Sequence, residues 1–294
     1  MKKPLLVNLL LLIAIVVLAL IIWLEPFSES HTTIPLTRKN PDTIKTIRLT
    51  VQDQSQWALE RIREPKTGEV TWYLQEPVAM PADSEKVSAL LGLLNTNSFR
   101  QYQIKSENLA KLGLQPPGWE IHLDDTVIEF GKTEPIDQKR FVLVNNTVHL
   151  INDQFSQYRF GSPLMLANLD ILPVDKSVRE LHLPDKVIKK VDGQWQSTPS
   201  MDTMTQTRYK ELIDQWRYAQ AVRVAMADET NKRRFNNDKK SVTVYLEQAA
   251  QPVHFTIERN ENDFIVTNED WGVRYYLSHT AGEKLLQLKS STRQ

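Results

Sequence analysis

Two stretches of this chain, about 120–135 residues apart, run through the same succession of patterns. That spacing is the size of a small domain. The first stretch begins with Ile44-Lys45-Thr46-Ile47-Arg48-Leu49, passes Trp72 and Pro77, enters a helical periodicity and reaches Phe141-Val142-Leu143-Val144-Asn145. The second begins with Val178-Arg179-Glu180-Leu181-His182-Leu183, passes Trp195 and Pro199, and after a second helical periodicity reaches Phe264-Ile265-Val266-Thr267-Asn268. A sequence with such a period is expected to fold as two copies of one supersecondary unit.

Within the first copy, Ile47, Leu49 and Val51 alternate with polar residues, as in a strand with one buried face. Trp57–Ile62 and Val70–Leu74 are strand-like around the turn cluster Pro65-Lys66-Thr67-Gly68, which predicts a hairpin. Pro81-Ala82-Asp83-Ser84 can open and cap a helix, and Val87, Leu90, Leu91 and Leu94 then fall on one face of it. In the second copy Asp202-Thr203 precede Tyr209, Leu212, Ile213 and Trp216 at the same spacing. Strands return after each helix. Trp119–Leu123 and Val127–Phe130 flank Asp124-Asp125, and Phe141–Val144 and Val148–Ile151 flank Asn145-Asn146. Ser241–Leu246, Val253–Ile257, Phe264–Val266 and Val273–Leu277 are their counterparts, and short helical pieces near 153–160 and 280–288 close the copies. Helices that do not alternate regularly with strands predict an α+β fold of mostly antiparallel sheet, with one main amphipathic helix in each unit.

Leu5 to Leu24 is a run of about 20 apolar residues broken only by Asn8, long enough for the roughly 30 Å of a bilayer core. A cleaved signal peptide has a shorter apolar region ending in small residues, whereas this run ends in Trp23-Leu24-Glu25-Pro26-Phe27. The run therefore reads as an uncleaved signal-anchor. Lys2 and Lys3 before it, with Glu25 and Glu29 after it, place the N-terminus inside and the bulk of the chain on the periplasmic side of a bacterial inner membrane. The expected organisation is a cytoplasmic tail over 1–4, a transmembrane segment over 5–24, a stalk over 25–41 and repeat units over 42–171 and 172–289.

The chain has no cysteine, which excludes disulfides and thiolate metal sites. Lysine plus arginine and aspartate plus glutamate balance at 36 each, which argues against a nucleic-acid partner. His122, His149 and His254 lie in strand patterns between apolar neighbours and read as polar-face or partly buried histidines, with no Asp or Glu at a spacing matched to a metal site. Asp124, Asp125 and Glu129 could be paired carboxylates, but Asp at a hairpin turn has a local reason to be there. Lys232-Arg233-Arg234 with Lys239-Lys240 reads as a solvated basic loop, with an anionic partner as the alternative. Trp271, Gly272, Tyr275 and Tyr276, with Phe155, Tyr158 and Phe160, read as core or inter-repeat packing, with a saccharide or peptide groove as the alternative. No glycine-rich phosphate loop and no nucleophile elbow occurs. No catalytic, cofactor-binding or metal-ligating residue is assigned.

Trp72-Tyr73-Leu74-Gln75-Glu76-Pro77, Pro81-Ala82-Asp83 and Val87-Ser88-Ala89-Leu90-Leu91 resemble the helix-opening signature of the domain-of-unknown-function family DUF4340. Leu112-Gly113-Leu114-Gln115-Pro116-Pro117, Phe130-Gly131-Lys132 and Arg140-Phe141-Val142-Leu143-Val144 are similar to that family too. The likeness runs from about Asp42 to Leu288 and is closer in the first copy, since the second lacks the Gly-Leu-x-Pro-Pro piece. The resemblance implies a bacterial, membrane-anchored protein, in some relatives linked with gliding-type ABC transporter components, and brings no catalytic residues with it. The function expected is a non-enzymatic accessory or interaction protein of the cell envelope, with a membrane-embedded partner such as a transporter permease. The alternatives are a glycan- or peptide-binding module and, less favoured, an envelope enzyme.

Overall fold

The computed structural model describes residues 12–16, 34–63, 68, 70–103, 106–173, 175–200, 205–227, 239–259 and 263–286. Residues 12–16 are helical (α1), and Leu12, Ile13, Ile15 and Val16 are all exposed there. The rest of the expected anchor lies outside the described residues. Among those described, no helix is long and apolar enough to cross a membrane.

The remaining described residues form a sheet-rich α+β body in which every strand pair is antiparallel. In the first half, β1 (Ile34–Pro35), β2 (Thr46–Val51), β3 (Gln54–Arg63), β4 (Val70–Glu76) and β5 (Met80–Pro81) lead into helix α2 (Ser84–Leu91). Then come β6 (Asn97–Ser98), β7 (Arg100–Tyr102), α3 (Ser106–Leu109), β8 (Trp119–Leu123), β9 (Thr126–Thr133), β10 (Lys139–Val144), β11 (Thr147–Asn152) and α4 (Ser156–Phe160). The second half holds β12 (Val178–Leu183), β13 (Lys186–Val191), β14 (Gln194–Thr198), α5 (Gln206–Arg217) and β15 (Arg223–Met226). It closes with β16 (Lys240–Leu246), β17 (Val253–Arg259), β18 (Phe264–Asn268), β19 (Val273–Leu277) and α6 (His279–Leu286). The first large sheet is ordered β5-β4-β3-β2-β8-β9-β10-β11-β7, and the second β14-β13-β12-β16-β17-β18-β19-β15. From β4 and β14 onward the two orders correspond strand for strand.

Turn chemistry sets these registers. Asp124 has a positive φ, and its carboxylate accepts from the backbone N–H groups of Lys45 and Thr46 and from the Thr46 hydroxyl, pinning the β8–β9 turn to the start of β2. Asn145 and Asn146 both take positive φ, as a two-residue hairpin loop of the primed type requires. Of the expected Pro65–Gly68 turn only Gly68 is described, and it too has positive φ.

The Asp83 side chain caps α2, accepting from Glu85 N at 3.0 Å and Lys86 N at 3.2 Å. The periodicity predicts one helix from Val87 through Leu94. Instead α2 ends at Leu91 and a 3-10 turn over Gly92–Asn95 buries Leu93 and Leu94 together. Thr205 caps α5, while the expected Asp202-Thr203 lies outside the described residues. Tyr209, Leu212, Ile213 and Trp216 are buried as their spacing predicts. Trp216 donates its indole N–H to Leu285 O at 2.9 Å, tying α5 to α6.

One hydrophobic core runs through both halves. The segment between them is bonded to each: Asp83 N donates to Leu166 O and Asn168 N to Pro81 O on one side. On the other, Ile171 N donates to Ala219 O and Ala221 N to Leu169 O. A smaller cluster of Leu114, Leu143 and Val148, with Tyr102, Leu109, Leu112 and Phe141 against it, lies apart from the main core.

The body also starts earlier than the pattern predicts. Within the expected 25–41 stalk, Ile34 pairs with Ser98, and Leu36 and Thr37 are buried with their N–H groups on Thr96 O and Leu94 O. A polar, proline-containing composition hides this because the segment is held by backbone bonds, the Thr37 hydroxyl on Leu94 O and the buried Leu36 side chain.

Candidate functional site

The strand period of two sorts side chains between the faces of the first sheet. Leu49, Ile121, Ile128 and Val142 enter the core. Their neighbours Thr50, Glu120, Glu129 and Leu143 form a row on the opposite face. The registers pair Thr50 with Glu120, Glu120 with Glu129, and Glu129 with Leu143. His122 lies beside the row, its Nε2 2.8 Å from Glu120 Oε2 and 3.3 Å from Thr50 Oγ1. The row ends at Leu143, which belongs to the small apolar cluster of Leu114, Leu143 and Val148 with Tyr102, Leu109, Leu112 and Phe141. A strip of titratable groups therefore runs to the foot of an apolar step.

The electrostatics of the strip are unequal. Burial pushes the Glu129 carboxyl above its usual range, the charge of Glu120 adds to this and His122 opposes it. Farther out, the Ser55 hydroxyl bonds Glu76 and holds it low, burial opposes, and Arg48 assists with Nη1 3.2 Å from both carboxylate oxygens. The strip can hydrogen-bond a ligand.

The second sheet carries a related pair. Glu180 Oε1 lies 2.6 Å from His182 Nε2 on β12, and the His182 ring rests 5.0 Å from that of Tyr245. Glu180-Leu181-His182-Leu183 thus echoes Glu120-Ile121-His122-Leu123 in sequence and in its internal bond. The motif occupies different members of the central strand pairs: β8 of β2–β8, but β12 of β12–β16. This repeated Glu-x-His-Leu was legible in the sequence, whereas the expectation considered His122 without its glutamate.

The other expected residues do not converge. His149 is buried beside Ser98, with Nδ1 3.1 Å from its hydroxyl, and burial lowers its pKa. His254 is exposed and contacts Asp270. Asp124 serves the turn, and Asp125 pairs with Lys39. Phe155, Tyr158 and Tyr275 are core residues, and burial, then Asp170, pushes the Tyr275 hydroxyl far up. Phe160, expected among the packed aromatics, is instead exposed under Arg159. Of the basic run, residues 232–234 lie outside the described residues. Lys239 is not a purely solvated lysine, since its Nζ lies 2.5 Å from Oε1 of the buried Glu258, whose other oxygen is 4.0 Å from Arg274. Among the described residues no group of three or more His, Asp or Glu is placed to hold a metal ion.

Two signature segments of the first half meet. Gly113 has a positive φ and lies against Lys132, and a side chain at Gly131 would overlap the carbonyl of Leu112 and the side chain of Leu114. Gly118 N donates to Phe130 O at 2.9 Å beside them. The glycines are thus needed for a close backbone approach, which seats the apolar step on the sheet. Residues 72–240, more than half of the chain, match the family described as Domain of unknown function (DUF4340). The chain belongs to the DUF4340 family. The matched range of this DUF4340 chain covers α2, the approach of Leu112–Leu114 to Gly131 and Lys132, the strip residues Glu120, His122 and Glu129, and α5. Comparison with curated proteins and with solved structures returns no match.

Proposed function

We propose that this protein is a single-pass, membrane-anchored interaction protein of the cell envelope, non-enzymatic, with its folded part outside the cytoplasm. The observation that carries the reading is α1. It is helical at the centre of a 20-residue apolar run, and its large side chains are 49–61% exposed. A helix so uncovered by its own protein is matched to lipid or to another membrane helix. A body held at the bilayer meets membrane-embedded partners at raised effective concentration, and a transporter permease is the partner class we favour. The matching strand orders support a further part of the reading, that the halves over 42–171 and 172–289 are copies of one unit.

The test is extraction of membranes with alkaline carbonate, followed by mass spectrometry of the mature N-terminus. Retention in the pellet with Met1 or Lys2 intact is expected. A mature N-terminus between about Trp23 and Ser30 overturns the anchor. Detergent co-purification should then recover a membrane protein with the full chain. The strip of Glu120, His122 and Glu129 favours the second reading, a glycan- or peptide-binding module. Saturable binding of glycan fragments that is lost in His122→Ala would select it.

A further inference from the structure

The length of chain between the apolar run and the body limits how far Ile34 can stand from the membrane. Residues 25–33 separate the apolar run from Ile34, the first described residue of the body. Nine residues reach at most about 30 Å. Ile34 must therefore lie close to the bilayer. It pairs with Ser98, and the next residue, Phe99, donates its N–H to Leu150 O near the end of β11. Lys139 Nζ sits 4.3 Å from the centre of the Phe99 ring. Lys139 opens β10 and pairs with Asn152, directly after the β9–β10 turn at residues 134–138. The chain thus leaves the body beside that turn. The opposite turn, Asp124-Asp125, lies the full length of β9 away, about 26 Å for eight strand residues.

This end is apolar where it is most exposed. Ile136 is 85% exposed at the turn, and Pro135, Ile34 and Pro35 are exposed with it. The tip is braced rather than loose. Glu134 accepts from Asp137 N at 2.8 Å, and the Gln138 amide donates to Pro135 O at 3.0 Å. Lys132 and Lys139 stand one step back, where long side chains can reach the head groups while the tip goes deeper.

We propose that the 134–138 turn is a second membrane contact, with Ile136 inserted at the boundary of head groups and acyl chains. The proposal rests on the anchor reading above. Glu134 and Asp137 offset the two lysines, so the contact is apolar in origin and independent of anionic lipid.

The absence of cysteine makes a single label unambiguous. Ile136→Cys and, as the control at the far end, Asp125→Cys are spin-labelled in the full chain, reconstituted in nanodiscs of zwitterionic lipid alone or with an anionic fraction. Both positions are exposed turn residues, so folding should be unaffected, and circular dichroism checks it. The expected result is a several-fold higher ratio of oxygen to nickel-complex accessibility at 136 than at 125, equal in both lipids. Equal, water-like ratios in a chain that resists carbonate extraction overturn this proposal and leave the anchor standing. A chain that carbonate releases overturns the anchor and the proposal with it. A lipid signal at 136 that appears only with anionic lipid overturns the apolar origin.

Discussion

Glu120 and Glu129 face each other directly across β8 and β9, on the side of the sheet away from the core. Burial penalises the charged form of Glu129, and repulsion from the opposed Glu120 carboxylate adds to the penalty. Its pKa is raised on folding, so the folded state holds that proton more tightly than the unfolded one. The contribution to stability is therefore present at acid pH and is lost as pH rises from the ordinary carboxylate range through the raised value. Glu129→Gln should stabilise the protein at pH 7 by up to about 1 kcal/mol. The gain should vanish near pH 4, and thermal melts at both values check it. A variant less stable than the parent at pH 7 would sink the idea.

Asp153 predicts the opposite slope. Burial raises its pKa, but bonds from Arg140, Ser156 and Thr133 outweigh this and leave it lowered. Its contribution is present above the ordinary carboxylate range and disappears as pH falls through the lowered value. Asp153→Asn should cost about 1–3 kcal/mol at pH 7, with the difference shrinking in acid. Urea titrations across pH read it directly.

The two main helices predict matched losses. Leu91 on α2 and Ile213 on α5 are both buried. Leu91→Ala and Ile213→Ala should each cost about 2–5 kcal/mol. A loss below about 1 kcal/mol in either would mean that its helix is not needed by the core.

Gly282 on α6 has no room for a methyl, which would overlap the ring of Phe264 on β18. Gly282→Ala should lower the melting temperature even though alanine favours a helix. Gly193, with open space beside it but a positive φ, should tolerate alanine only at the cost of strain. Gly282→Ala combined with a smaller residue, Phe264→Leu, should recover part of the loss.

Much of the sheet was legible. Alternation at Ile47, Leu49 and Val51, and paired runs around Asp124-Asp125 and Asn145-Asn146, depend on local chemistry that one sequence displays. The stripe on α5 was equally plain. Short edge strands such as β7 and β15 were not, because three or four residues make no period and their pairing is set by neighbours distant in the chain. Leu36 was lost in a polar segment for the same reason. The polar strip was half legible: Glu120 and His122 are adjacent in pattern, but the meeting of Glu120 with Glu129 is a matter of register. The approach of Lys132 to Gly113 and of Leu112 and Leu114 to Gly131 needed the fold, since glycine alone does not announce what approaches it.

The connector around Leu164–Leu172 carries a consequence for the order in which the chain is made. Its bonds to Pro81 and Asp83 can close as soon as the first half has left the ribosome. Its bonds to Ala219 and Ala221 have no partner until α5 has also been synthesised. Until then, one rim of the nascent first half presents unpaired backbone groups and uncovered leucines, an invitation to strangers. The second half therefore closes, last in biosynthetic time, a rim that the first half alone leaves open.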